Sequence, residues 1–297
     1  MTKKITISPV TRIEGHAKVT IHLDDEGRVE RTYFHVDQFR GYEKFTEGRF
    51  YDELPMITPR ICGICPVSHH LAAAKACDEI LGRPVPRTAA LLRELIHMGQ
   101  MIQSHSMHFF ELAGPDLVLG WDADPAVRNV VGLVRANPEL ALKAVKLRKY
   151  GQTIIEEVAG RRIHPTFAIP GGVNASLSPE SRERILKQVD EMIAYIREGV
   201  SIILAFIEAH KEECDAFAAF PSAYMGLVKD GGALELYDGI VRMAGRDGRT
   251  LDEFAGKYYL SHIAEKVDDW SYLKFPYFKP LGDPEGHYRV GPLGRLN

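Results

Sequence analysis

The chain has 297 residues, of which 45% are apolar and 26% charged, as is typical of a soluble globular protein. A net charge of −3 gives no basic excess for nucleic acid, no run of about 18 apolar residues predicts a membrane span, and no signal peptide is apparent. Because four cysteines are too few for a disulfide framework, we expect a cytoplasmic protein with free or metal-bound thiols.

The first part of the chain is predicted to form β-strands, over residues 4–40. A turn sequence at residues 24–27 separates two strands, the second of which covers residues 29–36. The first of these strands is predicted from apolar residues that alternate with polar ones. These residues are Ala17, Val19, Ile21 and Leu23.

The chain after Pro66 is predicted to be mostly helical, with one helix over residues 87–113 and another over residues 138–158. The residues that share one face of the first are Leu91, Leu95, Met98, Ile102 and His105. A further helix is predicted to begin at Ser178, since serine suits the N-cap and the following proline suits the first helical position. Its apolar stripe comprises Ile185, Val189, Met192, Ile193, Ile196, Val200, Ile203, Leu204 and Ile207.

The segments between and after the helices are rich in turn residues. Residues 160–179 lack periodicity and are predicted to be an ordered loop or a pair of turns. From Gly231 onward the sequence predicts a β-meander with Asp-Gly turns. The segment of residues 270–278 is rich in aromatic side chains, which predicts a role in packing or in subunit contact. The predicted fold is a single α+β unit, mostly α, with a short N-terminal antiparallel sheet, a bundle of long helices and a small second meander.

Two cysteines and a histidine lie close together around Pro66. Positions i and i+3 of a turning backbone lie on one side, with Cβ atoms about 5–6 Å apart, so Cys62 and Cys65 can close on one metal ion or on each other. Because Pro66 suits the first position of a helix, Cys65 is expected at the helix start, where the partial positive charge favours thiolate. His69 lies one turn further along the same face, within reach of the Cys65 sulfur.

Three functions are compatible with this spacing. A redox dithiol of the thioredoxin type requires a βαβ unit, which the sequence does not predict. Structural zinc requires four ligands, and the available fourth, Cys77, lies about 18 Å beyond Cys65 along the same predicted helix. The third is a thiolate-rich redox metal site. The spacing alone leaves zinc and a redox metal open, beside the simpler alternative of two buried thiols.

Five sequence motifs span the whole chain. They are PVTRIEGHAKV (9–19), RGYEKF (40–45), RICGIC (60–65), HPTFAIPGGV (164–173) and YRVGPLGRLN (288–297). Together they resemble the signatures of the large, catalytic subunits of nickel–iron hydrogenases. Within that family the chain is most similar to the cytoplasmic multimeric branch, through RICGICPVSHHLAAAKA for the viologen-reducing, heterodisulfide-reductase-linked members and WSYLKFPYFKPLG for these and the NAD-reducing ones.

The resemblance implies a role for each of five residues. Cys62 would be a terminal ligand of nickel, and Cys65 would bridge nickel to an iron that carries cyanide and carbon monoxide. Glu14 would take the proton from the site toward the surface. Glu43 would hold a magnesium ion near the far end of the site. His69 would donate a hydrogen bond to the Cys65 sulfur and so fix its orientation.

One departure from the family concerns the rest of the ligand set. The family completes its metal site with a second C-x-x-C followed by His, which this sequence lacks, and its chains continue past GPLGRLN. The remaining cysteines, Cys77 and Cys214, are predicted to be buried structural thiols. We therefore expect residues 1–297 to be the N-terminal portion of a large-subunit domain, inactive and without a nickel–iron centre by itself.

The resemblance also implies partners for the chain. The activity would be the reversible oxidation of H2, with electrons passed to an iron–sulfur small subunit, and with possible flavin- or heterodisulfide-reductase-linked subunits beyond it. The alternatives are a hydrogen sensor on the same scaffold and a zinc-bound structural protein. A respiratory-complex quinone-side subunit shares the scaffold, but such subunits have generally lost the cysteines, so Cys62 and Cys65 argue against it.

Overall fold

The structure is a computed structural model that describes residues 3–39 and 41–297. Arg40, the first residue of the RGYEKF motif and the last of the predicted β region, lies outside the described residues. The described part of the chain forms two compact units, a β-rich unit of residues 3–39 and 215–297 and a helical unit of residues 41–214. None of its helices is long and apolar enough to cross a lipid bilayer.

The α-helices are α1 (Tyr42–Thr46), α2 (Leu54–Ile57), α3 (Pro66–Leu81), α4 (Arg87–Ser106), α5 (Gly114–Leu119), α6 (Val130–Ala136), α7 (Pro138–Ala159), α8 (Pro179–Leu186), α9 (Val189–Ala209), α10 (Lys211–Ala216), α11 (Tyr259–His262) and α12 (Gly291–Leu296). A π-helix, Met107–Ala113, joins α4 to α5.

The strands are β1 (Lys3–Ile7), β2 (Ala17–Leu23), β3 (Val29–Val36), β4 (Ala168–Ile169), β5 (Gly172–Val173), β6 (Ala223–Val228), β7 (Leu234–Glu235), β8 (Ile240–Ala244), β9 (Thr250–Phe254), β10 (Ile263–Val267), β11 (Lys274–Phe278) and β12 (Tyr288–Arg289). The predicted α+β class, with its small antiparallel sheets and long helices, is confirmed.

The β-rich unit contains the N-terminal sheet β1–β2–β3, which is antiparallel throughout. A second sheet has the order β12–β6–β8–β9, with β7 also paired to β6. The predicted Asp-Gly turn joins β8 to β9, where Gly248 has the positive φ of 76° that glycine adopts readily. The sheet is more than a meander, because β12 pairs with β6 in parallel. The buried core of this sheet comprises Ala223, Met243, Phe254 and Phe278.

The aromatic segment near the end of the chain packs within the same unit. The Trp270 ring lies 4.8 Å from the Tyr33 ring and 5.6 Å from the His35 ring, measured between centroids. His35 Nδ1 also hydrogen-bonds to the Trp270 carbonyl oxygen at 2.7 Å. This segment therefore stabilises the edge of the N-terminal sheet through packing, which is one of the two roles that the sequence predicts for it.

The helical unit is built on the crossing of α4 and α7, which is unusually close. A Cβ atom at Gly151 would lie 2.4 Å from the Gly99 carbonyl oxygen and 2.6 Å from the Gln103 amide nitrogen. Only glycine permits this approach, because any Cβ atom at position 151 would overlap the backbone of α4. The two helices therefore pack backbone against backbone, which fixes the position of α4 relative to the core.

The buried face of α4 is not the apolar face that the sequence predicts. Leu91 is 53% exposed and His105 is also exposed, whereas Arg93 and Gln100 are buried. The face turned to the core contains Ala89, Arg93, Ile96, Gly99, Gln100, Gln103 and Ser106. An apolar periodicity could not find this face because several of the residues on it are polar and satisfied by hydrogen bonds.

The predicted long helix after Ser178 is wrong in one respect, since it consists of two helices. Ser178 Oγ does cap α8, accepting a hydrogen bond from the Ser181 amide at 3.1 Å. However, the Gln188 amide donates to the Ile185 carbonyl, three residues back, so the chain tightens into a turn before α9. The members of the predicted stripe on α9 that are at least 40% exposed are Ile193, Ile196, Val200, Leu204 and Ile207.

A buried ion pair connects α3, α4 and the glycine-rich loop that contains β4 and β5. The Arg93 guanidinium, with 0% exposure, donates to Asp78 Oδ2 at 2.6 Å. Its Nη2 also donates to the carbonyl oxygens of Ile169 and Gly172, both at 2.8 Å. Asp78 Oδ1 accepts from the Gly171 amide at 2.7 Å. The loop is thereby fastened to both helices through a single satisfied network.

Replacing Arg93 by methionine should lower the free energy of unfolding by about 3–5 kcal/mol, because it leaves the Asp78 carboxylate, which is only 12% exposed, without its cation. Urea denaturation of the complete protein measures this loss. The matched control is Arg148→Met, which removes an ion pair with Glu111 whose side chains are 40% and 33% exposed. The control should cost at most about 1 kcal/mol. Equal losses in the two variants would contradict the structural role of Arg93.

Candidate metal centre

The two cysteines of RICGIC are placed by a short turn and by the start of α3. A 3-10 turn over Thr58–Ile61 ends at Cys62, which has an extended backbone. Cys65 is the N-cap residue of α3 and Pro66 is its first residue, as the sequence predicts. The backbone between them brings the two side chains to the same side of the chain. The Cys65 amide donates a hydrogen bond to Cys62 Sγ at 3.1 Å.

The sulfur atoms of Cys62 and Cys65 and a ring nitrogen of His69 lie within 4.8 Å of one another. Cys62 is buried with 7% exposure, and the other two residues are half-buried. Neither cysteine is in a disulfide bond. Two soft thiol sulfurs and an imidazole nitrogen that converge at the positive end of a helix suit a thiolate-bound transition metal, so the residues present fit such a group.

Burial lowers the pKa of His69, which favours the neutral imidazole near pH 7. A neutral ring has one N–H that can donate and one nitrogen that can accept. His69 can therefore donate to a thiolate sulfur, as the resemblance implies, while its second nitrogen stays available to another group. Its position one turn after Cys65 agrees with the geometry that the sequence predicts.

The other cysteines lie apart from this cluster. Cys77 is 2% exposed in α3, and its thiol donates to the Tyr51 carbonyl oxygen at 3.1 Å. Burial raises the pKa of this thiol, which favours the neutral form of a structural residue. Cys214 lies in α10 and is half-buried, so the prediction that it is a buried thiol is wrong. The reason is that α10 is a short surface helix without any buried residue.

The two carboxylates with implied roles occupy different units. Glu43 lies in the first turn of α1, in the same helical unit as the cysteines, and its side chain is exposed. Glu14 lies in the β-rich unit, on the connection between β1 and β2, and is also exposed. The roles of both residues, in magnesium binding and in proton transfer, stay predictions.

Two buried glutamines hold the backbone around the cysteines, and neither is found from the sequence. Gln100 Oε1 accepts hydrogen bonds from the amides of Val67 at 2.7 Å and Ser68 at 3.2 Å. Gln103 Nε2 donates to the Ile64 carbonyl oxygen at 2.9 Å. Both side chains come from α4. The available signal was the unusual spacing of glutamines at i and i+3 within a predicted apolar helix.

His70 fastens α3 to the loop of the HPTFAIPGGV motif. Its ring is 0% exposed, and Nε2 accepts from the amides of Phe167 at 3.2 Å and Ala168 at 2.8 Å. Because Nε2 accepts, the proton is on Nδ1, which donates to the Pro55 carbonyl oxygen at 2.7 Å. His70 is therefore a buried, hydrogen-bonded histidine with a structural role in α3.

The chain matches two family models and several known proteins. The family model described as HoxL-like matches residues 4–39, and the model described as nickel-dependent hydrogenase matches residues 40–129. The chain is 47% identical to a subunit of the F420-non-reducing hydrogenase vhu of Methanocaldococcus jannaschii, over 99% of its own length and 70% of the relative's. It is 45% identical to the beta subunit of the NAD-reducing hydrogenase HoxS of Cupriavidus necator, over 100% of its length and 63% of the relative's.

The fold is also similar to that of solved hydrogenase structures. An NAD+-reducing [NiFe]-hydrogenase in the H2-reduced state matches with a TM-score of 0.97 and 46% identity, over 99% of this chain and 66% of that one. Two cysteines and a histidine that converge at the start of α3 are a donor set that suits a thiolate-bound metal protein. The chain belongs to the nickel-dependent hydrogenases, a family of oxidoreductases, and the resemblance of its motifs to their large subunits is confirmed.

The stability of the protein should depend on pH through His70. Burial lowers the pKa of this residue below its ordinary 6.5, and the positive charges of Arg93 and Arg60 lower it further, although the bond to Pro55 opposes them. Below about pH 6.5 the unfolded chain binds a proton at this position and the folded chain does not. The stability should therefore be complete above pH 6.5 and fall as the pH decreases toward the lowered pKa.

Urea denaturation at several pH values between about 7.5 and 5 measures this effect, which should approach about 1.4 kcal/mol for each pH unit. The control is His70→Gln, which removes the titrating ring and should make that part of the pH dependence disappear. An unchanged pH dependence in His70→Gln would contradict the assignment of a buried neutral imidazole.

Proposed function

We propose that the complete protein catalyses the reversible oxidation of H2 to two protons and two electrons at a nickel–iron centre that Cys62 and Cys65 help to hold. The observation that carries the proposal is the convergence of two sulfur atoms and an imidazole nitrogen within 4.8 Å of one another at the start of α3. Family membership supports it, since relatives that are 45% and 47% identical are named as hydrogenase subunits.

The proposed ligand set follows the resemblance. Cys62 would be a terminal thiolate of nickel, and Cys65 would bridge nickel and an iron that carries cyanide and carbon monoxide. The half-buried Cys65 sulfur suits a ligand shared by two metals, while the Cys62 sulfur already accepts an amide hydrogen bond. Residues 1–297 would then be the N-terminal portion of a large-subunit domain, whose second C-x-x-C pair would have to lie outside these residues.

The metal centre would supply a Lewis acid and an electron acceptor for the cleavage of H2. The residues of this chain would supply the rest. A basic thiolate ligand would receive the proton, and His69 would hold the Cys65 sulfur in place. Glu14 would then accept the proton and move it toward the surface. Glu43 would bind a magnesium ion in the same helical unit.

The electrons would leave through iron–sulfur clusters of a small-subunit partner. Among the described residues, the cysteines outside the candidate centre are Cys77 and Cys214, which do not form a cluster site. The names of the relatives include NAD-reducing and F420-non-reducing hydrogenases, so flavin- or heterodisulfide-reductase-linked subunits would be the further partners. The complete enzyme would be cytoplasmic, as in that branch of the family. It would have no nucleic-acid partner.

Replacing Cys62 by serine should lower the nickel content of the purified complete protein at least about tenfold, because the harder hydroxyl is a poor ligand for nickel. Nickel and iron are measured by elemental analysis together with H2-dependent dye reduction. The matched control is Cys214→Ser, which changes a thiol outside the cluster and should leave the metal content unchanged. Stoichiometric zinc in the wild-type protein, with no nickel, would contradict the proposal and favour the zinc-bound structural alternative.

Replacing Glu14 by glutamine tests the proton path separately from metal binding. The amide cannot accept the proton, so we expect H2 oxidation to fall by about 100-fold or more while the nickel content stays that of the wild type. The matched control is Glu26→Gln, which alters a carboxylate in the turn before β3 that pairs with Arg28 on the surface. Full activity of Glu14→Gln would exclude this residue from proton transfer.

A further inference from the structure

The start of α3 lacks a side-chain cap from its own sequence. A helix begins with amides that have no partner inside the helix, and Ser, Thr, Asp or Asn at the N-cap normally accepts from them. Here the N-cap is Cys65, whose side chain makes no capping hydrogen bond. Pro66 has no amide N–H, and the Ser68 N–H also donates to the Cys65 carbonyl oxygen at 3.2 Å. The N–H that most needs an acceptor from outside the helix is therefore that of Val67.

Gln100 accepts from both of these amides, although it belongs to another helix. Its Oε1 lies 2.7 Å from the Val67 nitrogen and 3.2 Å from the Ser68 nitrogen. Its Nε2 donates to the Ser68 hydroxyl, so all three contacts are made by one side chain with 2% exposure. An acceptor that contacts the second and third residues of a helix reproduces what an N-cap side chain does.

The surrounding contacts fix this glutamine in place. Gln103, one turn further along α4, donates to the Ile64 carbonyl oxygen at 2.9 Å, and so holds the residue that precedes Cys65. The close crossing at Gly99 and Gly151 fixes the distance between α4 and α7. Both glutamines therefore contact the cysteine loop from a helix that has little freedom to move.

We propose that Gln100 is a positioning residue that caps α3 from α4, so that position 65 can hold a metal-binding cysteine instead of a capping side chain. The inference rests on the proposed function, because the orientation of the Cys65 sulfur matters only if it binds a metal. The cap fixes the first turn of α3, and with it the directions in which Cys65 and His69 point.

The chemistry of glutamine suits this position better than that of glutamate. A carboxylate would also accept from two amides, but it would add a negative charge close to two thiolates. The repulsion would favour more oxidised, less negative states of a bound metal, and so lower its midpoint potential. The neutral amide provides the acceptor without that charge. Charge and hydrogen bonding can thus be separated by substitution at one position.

The test uses the complete protein with Gln100→Met, which keeps the size and removes the hydrogen bonds, and Gln100→Glu, which keeps the acceptor. Amide hydrogen exchange at Val67 and Ser68 reports the cap independently of activity. Infrared spectra of the diatomic iron ligands and the midpoint potential report the centre. The matched control is Gln188→Met, which removes a glutamine that donates to the Arg184 carbonyl near the surface.

We expect Gln100→Met to accelerate exchange at the Val67 amide by roughly tenfold and to shift the infrared bands. The effect at Ser68 should be smaller, because its amide keeps the hydrogen bond to the Cys65 carbonyl oxygen. Gln100→Glu should restore the slow exchange and lower the midpoint potential, and Gln188→Met should change neither. Wild-type exchange in Gln100→Met, or faster exchange without a shift of the infrared bands, would overturn the proposal. A wild-type protein without nickel would instead contradict the proposed function, while amide exchange would still decide whether Gln100 caps α3.

Discussion

The structure of the helical unit depends on one constraint, namely that a cysteine occupies the N-cap of α3. Position 65 cannot both cap the helix and present its sulfur to a metal. The Val67 amide at the helix start is buried, and a buried amide without a partner costs about 1–3 kcal/mol. The acceptor comes from Gln100 on α4, which accounts for one of the polar residues on the buried face of that helix.

Hydrogen bonds from other segments hold α3 at several points along its length. Gln100 and Gln103 contact its start, His70 joins it to the HPTFAIPGGV loop, and Arg93 with Asp78 joins its last turn to the same loop. Networks of this kind are strong only when every member is satisfied. A helix held at both ends in this way gives the cysteine side chains a defined direction, which a metal site requires.

The sequence predicted the elements that depend on local signals. Pro66 marked the start of α3, Ser178 marked the start of α8, and the Asp-Gly turn before β9 was found from its dipeptide. It also placed Cys62, Cys65 and His69 together, because their spacing of three and four residues is local. The resemblance to hydrogenase large subunits indicated which metals to expect, since the spacing alone could not distinguish a redox metal such as nickel from zinc.

The parts that sequence reasoning missed depend on contacts between distant segments. The buried face of α4 is polar because it satisfies groups on α3 and on the loop of β4 and β5, and no pattern within α4 records those partners. The break between α8 and α9 is a tightening of the backbone without Gly or Pro to announce it. The capping role of Gln100 spans 33 residues of sequence, so only the folded chain brings it to Val67.

We propose that the sulfurs of Cys62 and Cys65 bind a transition metal together. Nickel K-edge X-ray absorption of the complete protein tests this most directly, by comparing the wild type with the Cys62→Ser, Cys65→Ser double variant. We predict sulfur neighbours around nickel in the wild type and the loss of nickel in the variant. Nickel bound only by nitrogen and oxygen, or retained by the variant with unchanged spectra, would contradict it.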